Sequence, residues 1–203
     1  MTGPEGLDRR GWNNEPGEQG GPDFPRMIEA LRLLQARMTG ASPPAETVTE
    51  TAETLEKLAA ALEPFTVPEA GQIVGHRTDL PGRCQAMAPP VHIEEWDERH
   101  ALGHVTFSRF YLGGNGAVHG GAIPLVFDEV MGRLANTGRP RSRTAYLHVN
   151  YRKITPIDSR LRVEARFERE EGRKRILAGA LVDGETVVAD AEGLFVALKP
   201  GQP

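Results

Sequence analysis

The sequence predicts an α+β fold: an antiparallel sheet wrapped around one long central helix, with two extra helices at the N-terminus. Three observations carry this expectation. Residues from Gly71 onward read mostly as strands. The one long helix among them, from about Gly120 to Asn136, is apolar on almost every side, so no face of it suits water and it must be enclosed. Asp183-Gly184 lies between two alternating runs, a strong signal for a hairpin. A curved sheet is the only material left to enclose the helix.

Taken in order, residues 1–22 are rich in Gly, Pro, Asn and Glu with almost nothing to bury, and read as a disordered tail. Residues 23–70 form an accessory pair of helices. In the first, Phe24, Ile28, Leu31, Leu34 and Met38 recur at helical spacing, with Asp23 as candidate N-cap and Gly40 as terminator. After the Ser42-Pro43-Pro44 break, Val48, Ala52, Leu55, Leu58 or Ala59, and Leu62 mark the second, closed by Pro64 and Pro68. Residues 71–203 make the main domain. Val91, Ile93 and Trp96 predict a short strand, and the alternation over 102–111 predicts a longer one. Gly113 to Gly116 is a loop; it lacks the Lys-Ser/Thr ending of a phosphate loop. The central helix tolerates Pro124 because its first turn needs no N–H there. Four further strands are expected at Thr144 to Lys153, Arg160 to Glu170, Lys174 to Val182 and Thr186 to Leu198.

Bulk properties narrow the functional classes. The chain has 203 residues, 39% hydrophobic and 26% charged, with a net charge of −4. Such a balance argues against a general nucleic-acid binder. The single cysteine, Cys84, excludes an internal disulfide and a cysteine-rich zinc site. No run of 18 apolar residues and no signal-peptide pattern occurs, so a cytoplasmic protein without a membrane span is expected. His100 and His104 are four apart in a strand-like stretch, a poor metal site, and no metal or separate cofactor is expected.

The chemistry concentrates in residues 118–132, VHGGAIPLVFDEVMG. A His-Gly-Gly turn opens the apolar helix, whose free N–H groups attract developing negative charge. Asp128 and Glu129 sit in its middle, where an acid costs several kcal/mol unless paired or used. An oxyanion site and a carboxylate on one helix point to ester or thioester hydrolysis. Read alone, Asp128 could equally pair structurally with Arg133 or Arg143. No Gly-x-Ser-x-Gly elbow is present for a serine hydrolase.

Several details combine: VHGGAI, Asp128 nine residues after His119, Thr144 sixteen after Asp128, Asn150-Tyr151-Arg152-Lys153 with Pro156 beyond, and Glu171-Gly172-Arg173-Lys174. Over roughly Pro89 to Pro200 the chain resembles hotdog-fold acyl-CoA thioesterases of the phenylacetyl-CoA thioesterase type, in the branch similar to mammalian thioesterase superfamily members. The resemblance implies that His119 shapes the turn near the thioester carbonyl and that the Gly120 N–H holds the oxyanion, with Gly121 beside it. It implies Asp128 as general base or nucleophile, and Thr144, arriving from a facing subunit, as orienter of the water or of Asp128. A homodimer or dimer of dimers is then part of the mechanism. Glu129 is a departure, an extra acid beside Asp128; neighbours on a helix point about 100° apart, so one of the two faces substrate. The phosphates of coenzyme A would meet Arg173 and Lys174, or Arg152 and Lys153 next to Asn150. Two other classes stand beside this one: a hotdog hydratase, whose differently spaced Asp-His loop is not seen, and a non-catalytic hotdog module binding acyl-CoA or an acyl carrier protein.

Overall fold

A computed structural model describes residues 19–202; most of the tail expected over 1–22 lies outside them. Two helices come first, α1 (Phe24–Gly40) and α2 (Ala45–Leu62). Asp23 holds the N-cap position of α1 but makes no capping bond, because its carboxylate pairs with Arg26 at 3.1 Å. Next come β1 (His92–Trp96) and β2 (His100–Thr106). The strand expected to run on to Tyr111 stops at Thr106. Phe107 turns fully into the core, and Arg109–Tyr111 wind into a 3₁₀ turn against α1.

A two-stranded hairpin follows, β3 (Leu112–Gly114) and β4 (Ala117–Val118). Its turn, Asn115-Gly116, takes φ of 49° and 75°, the pair of positive values such a tight turn requires. The central helix is α3 (Ala122–Asn136). Four long strands complete the domain: β5 (Ser142–Tyr151), β6 (Arg160–Glu171), β7 (Lys174–Asp183) and β8 (Thr186–Ala197), each within two residues of its expected limits.

The main sheet has six antiparallel strands in the order β1-β2-β6-β7-β8-β5, so β5 leaves one edge without a partner strand. Helix α3 lies across its concave face. Ile123, Val126, Phe127, Val130, Met131 and Leu134 are at most 2% exposed, packed on Val105, Leu161, Leu177, Leu181 and Phe195. Each such side chain contributes roughly 1.5–3 kcal/mol relative to exposure. The helix sits close because Gly179 and Gly193 floor it: a Cβ on Gly179 would lie 2.9 Å from the Phe127 ring, and one on Gly193 3.2 Å from Met131. Arg175, only 2% exposed, donates to Ala135 O and Pro140 O at 2.9 and 2.7 Å and pairs with Glu170 at 3.0 Å. A cation there satisfies carbonyls that the helix end leaves open.

The enclosure is incomplete, contrary to the expectation of an all-round buried helix. Asp128 faces solvent, and so do most residues of β5. A second, smaller cluster of Phe24, Ile28 and Cys84, with Ile73 and Leu80 against it, ties α1 to the segment just before β1. The apolar stripe of α2 has no such cover: Val48, Leu58 and Leu62 are each more than half exposed. No helix among the described residues is long and apolar enough to cross a membrane.

Candidate active site

The His-Gly-Gly turn is held by the backbone before it. The His119 N–H donates to Tyr111 O at 2.7 Å, an approach that Gly113 permits, since a Cβ there would lie 2.7 Å from the His119 Cα. His119 Nδ1 accepts from the Gly121 N–H at 3.0 Å, and its carbonyl accepts from the Ala122 N–H at 2.8 Å. His119 thus caps its own helix. The Gly120 carbonyl accepts from the Tyr151 hydroxyl at 2.8 Å. Among the described residues the Gly120 N–H has no acceptor, so this donor at a helix N-terminus is free to meet an oxyanion.

Thr144 Oγ1 donates to Asp128 Oδ1 at 2.7 Å, both residues in one chain. The contact expected from a facing subunit is made here within a single chain. Asp128 sits on α3 directly across from the start of β5, and no partner is needed for the contact. Arg133, one candidate structural partner for Asp128, lies near the neighbouring acid. It is Glu129 that takes the structural role, 9% exposed and bonded to Arg83 Nε at 2.9 Å and Nη2 at 2.6 Å, with Arg133 at 3.7 Å.

Both acids line a cleft of about 380 Å³ between α3, the start of β5 and residues 69–85. Gln72, His76, Arg83 and Gln85 form the N-terminal wall; Arg141, Arg143 and Thr144 form the wall on and beside β5. Burial alone would lower the Arg83 pKa, but the Glu129 hydrogen bond and charge, with Asp128 nearby, raise it on balance. Arg133, buried more deeply, is drawn down to about 10. The other candidates stand apart from the cleft. Asn150 and Arg152 both bond Asp190, holding its carboxyl below the usual range, and Lys153 is exposed beyond β5. Arg173 donates to Ala197 O at 2.8 Å, and Lys174 pairs in register with Val196.

Sequence reasoning passed over Arg83, His76, Arg141 and the buried Arg175. The one available signal was Glu129: a buried acid needs a cation, but only the fold says which.

Three comparisons bear on this geometry. The family model described as thioesterase superfamily matches residues 115–189, which include the His-Gly-Gly turn, Asp128 and Thr144. Mouse (Mus musculus) acyl-coenzyme A thioesterase THEM4 is 33% identical over 90 residues, 43% of this chain and 39% of the relative. Its cattle (Bos taurus) counterpart is 28% identical over 106 residues, 51% of this chain and 44% of the relative. The matched stretch thus spans less than half the length of either relative. A crystal structure of a thioesterase superfamily protein superposes with TM-score 0.73 at 28% identity, covering 85% of this chain and 94% of that one. The Escherichia coli PaaI protein from the phenylacetic acid degradation operon shares the fold, with TM-score 0.50, 17% identity, and 52% and 82% coverage. A Streptococcus pneumoniae thioesterase protein solved with coenzyme A does likewise, at 0.50 and 18%, over 52% and 86%. Residues 115–189 thus resemble the thioesterase superfamily, and the fold is that of the hotdog thioesterases.

Proposed function

We propose that the protein hydrolyses acyl-CoA thioesters to a free acid and coenzyme A, with Asp128 as base or nucleophile. The observation that carries this reading is the Thr144–Asp128 hydrogen bond of 2.7 Å beside an open cleft. The Thr144 hydroxyl occupies one carboxylate oxygen and leaves the other to take a proton from water or to attack the carbonyl. The Gly120 N–H supplies the oxyanion donor, an interaction whose loss typically costs ~10²–10³ in rate.

Geometry favours a site shared between two copies. Gly120 and Asp128 are eight residues apart, about 12 Å by helix rise. A second copy related by a two-fold axis, its β5 beside this β5 and its α3 antiparallel to this α3, would close that gap. It would bring one chain's Gly120 towards the other's Asp128 and cover the open edge strand. Arg173 and Lys174 suit the nucleotide phosphates better than Arg152, because their hairpin adjoins Ala197, the register partner of Ser142 at the cleft end of β5. Arg152 is already committed to Asp190.

The test is thiol release from a panel of acyl-CoAs by the wild type and by Asp128→Asn. The variant should lose at least ~10² in kcat while keeping the wild-type fold and dimer, since asparagine keeps the shape but not the basicity. Wild-type turnover in the variant would remove Asp128 from the mechanism. Binding of acyl-CoA without hydrolysis by the wild type would favour a non-catalytic module.

A further inference from the structure

The acid next to Asp128 leads to a segment outside the sheet. Glu129 pairs with Arg83, and Arg83 belongs to a turn of unusual backbone: Gly82, Arg83 and Cys84 have φ of 58°, 52° and 66°. For arginine and cysteine the left-handed region costs about 1–2 kcal/mol each, and it persists only where surroundings enforce it. Here they do. Cys84 is 1% exposed in the cluster with Phe24 and Ile28, the Gly75 N–H donates to Arg83 O at 2.8 Å, and Arg32 donates to Pro81 O at 2.9 Å. The enforced turn delivers the guanidinium to Glu129. One helical turn further on, Arg133 donates to Thr78 O at 3.1 Å. The segment is therefore stapled to α3 at positions 129 and 133, beside the residue that faces the cleft.

We propose that Arg83 is a positioning residue for Asp128, acting through Glu129; this rests on the hydrolase reading of the same site. Arg83 neutralises the buried acid, so Asp128 alone offers a free carboxylate, and it fixes both the helix turn and the cleft wall made by residues 69–85. Without the guanidinium, Glu129 is a charge with its main partner gone. It gains by swinging away from the vacated pocket towards solvent beside Asp128, and that moves the turn. Removing both charges leaves no orphan acid, and Arg133 keeps its donation to Thr78 O, because replacing a whole ion pair costs far less than breaking it.

The experiment compares Arg83→Met, Arg83→Lys and the double variant Arg83→Met/Glu129→Gln with the wild type. Arg83→Met should lower kcat ~10–100-fold with KM changed less than about threefold, since small misplacements of a reacting group have effects of this size. Arg83→Lys should recover part of the rate, and the double variant most of it. Hydrogen exchange across Val126 to Arg133 should quicken in Arg83→Met and slow again in the double variant. A pair that only stabilises would lower Tm and leave the kcat of the folded enzyme unchanged, and that result overturns the proposal. So does a double variant as slow as the single one. The exchange measurement needs no turnover: a wild type inert towards every acyl-CoA refutes the hydrolase reading, whereas unchanged exchange refutes the staple.

Discussion

Replacing Thr144 by valine removes one hydroxyl and keeps the β-branched shape that suits a strand. The lost contact is the 2.7 Å donation to Asp128 Oδ1. Hydrogen bonds to charged groups contribute about 1.5–3 kcal/mol, and the pair is solvent-exposed in a single chain, so the lower half of that range applies unless a second copy covers it. At 1.36 kcal/mol per tenfold, the expected loss in kcat is about 10-fold for an open site, approaching ~10² for a covered one. Thr144→Ser should retain most of the rate. Steady-state thiol release on the longest and shortest accepted acyl-CoA gives both constants, and KM should move little because the hydroxyl acts on the carboxylate. In an Asp128→Asn background the valine change should cost almost nothing more, since the two residues act as a unit. Equal losses with and without Asp128 would refute the reasoning and assign Thr144 an independent role.

Mixed dimers test the shared site. Asp128→Asn subunits combined with Gly120→Pro subunits should regain up to about half the wild-type rate, because one of the two sites then has both groups intact. Asp128→Asn with Thr144→Val should show no rate above the mean of the parents, their residues lying on one chain. Gly179→Ala should lower Tm: its Cβ would lie 2.9 Å from the buried Phe127 ring, overpacking worth about 1–3 kcal/mol. Thermal melting reads this as a drop of roughly 3–10 °C, and an unchanged Tm would mean that the helix has room to retreat. Desolvation, with His104 stacked at 4.9 Å, lowers the His92 pKa. A lowered folded-state value means that the unfolded chain binds protons first, so stability present above ~6.5 is lost as pH falls below it. His92→Gln should flatten that slope in denaturant titrations at pH 7.5 and 5; the same slope in the variant would place its origin elsewhere.

The strands after the central helix were legible because their alternation and turn residues agree. Lys174–Asp183 ends at Asp183-Gly184, and buried positions recur every second residue along much of β6. The pairing of Asp128 with Thr144 was legible for a different reason. Residue type and spacing mark the two as candidates, although spacing cannot say which chain supplies which residue. Local reading failed where distant packing decides. The strand ending at Thr106 looked longer, because an alternating pattern continues past the point at which α1 claims Tyr111 and its neighbours. Arg83 lies 46 residues from Glu129 in a Pro-Gly-Arg-Cys stretch that reads as an ordinary turn. Arg175, next to a lysine in a hairpin, reads as surface charge until the helix C-terminus arrives over it.

The closeness of α3 to its glycine floor has an evolutionary corollary. Gly179 and Gly193 leave no slack beneath Phe127 and Met131, so accumulating substitutions on that side would shift the whole helix and, with it, Asp128. Divergence in ligand preference therefore has one inexpensive direction open to it, the opposite wall. Residues 69–85 lie mostly in irregular backbone, and Gln72, Val74, His76 and Gln85 can be exchanged there without disturbing a ladder hydrogen bond. A library confined to those four positions should alter which thioesters are accepted while leaving the folding of the sheet alone, whereas one drawn on the floor of α3 should mostly yield insoluble protein.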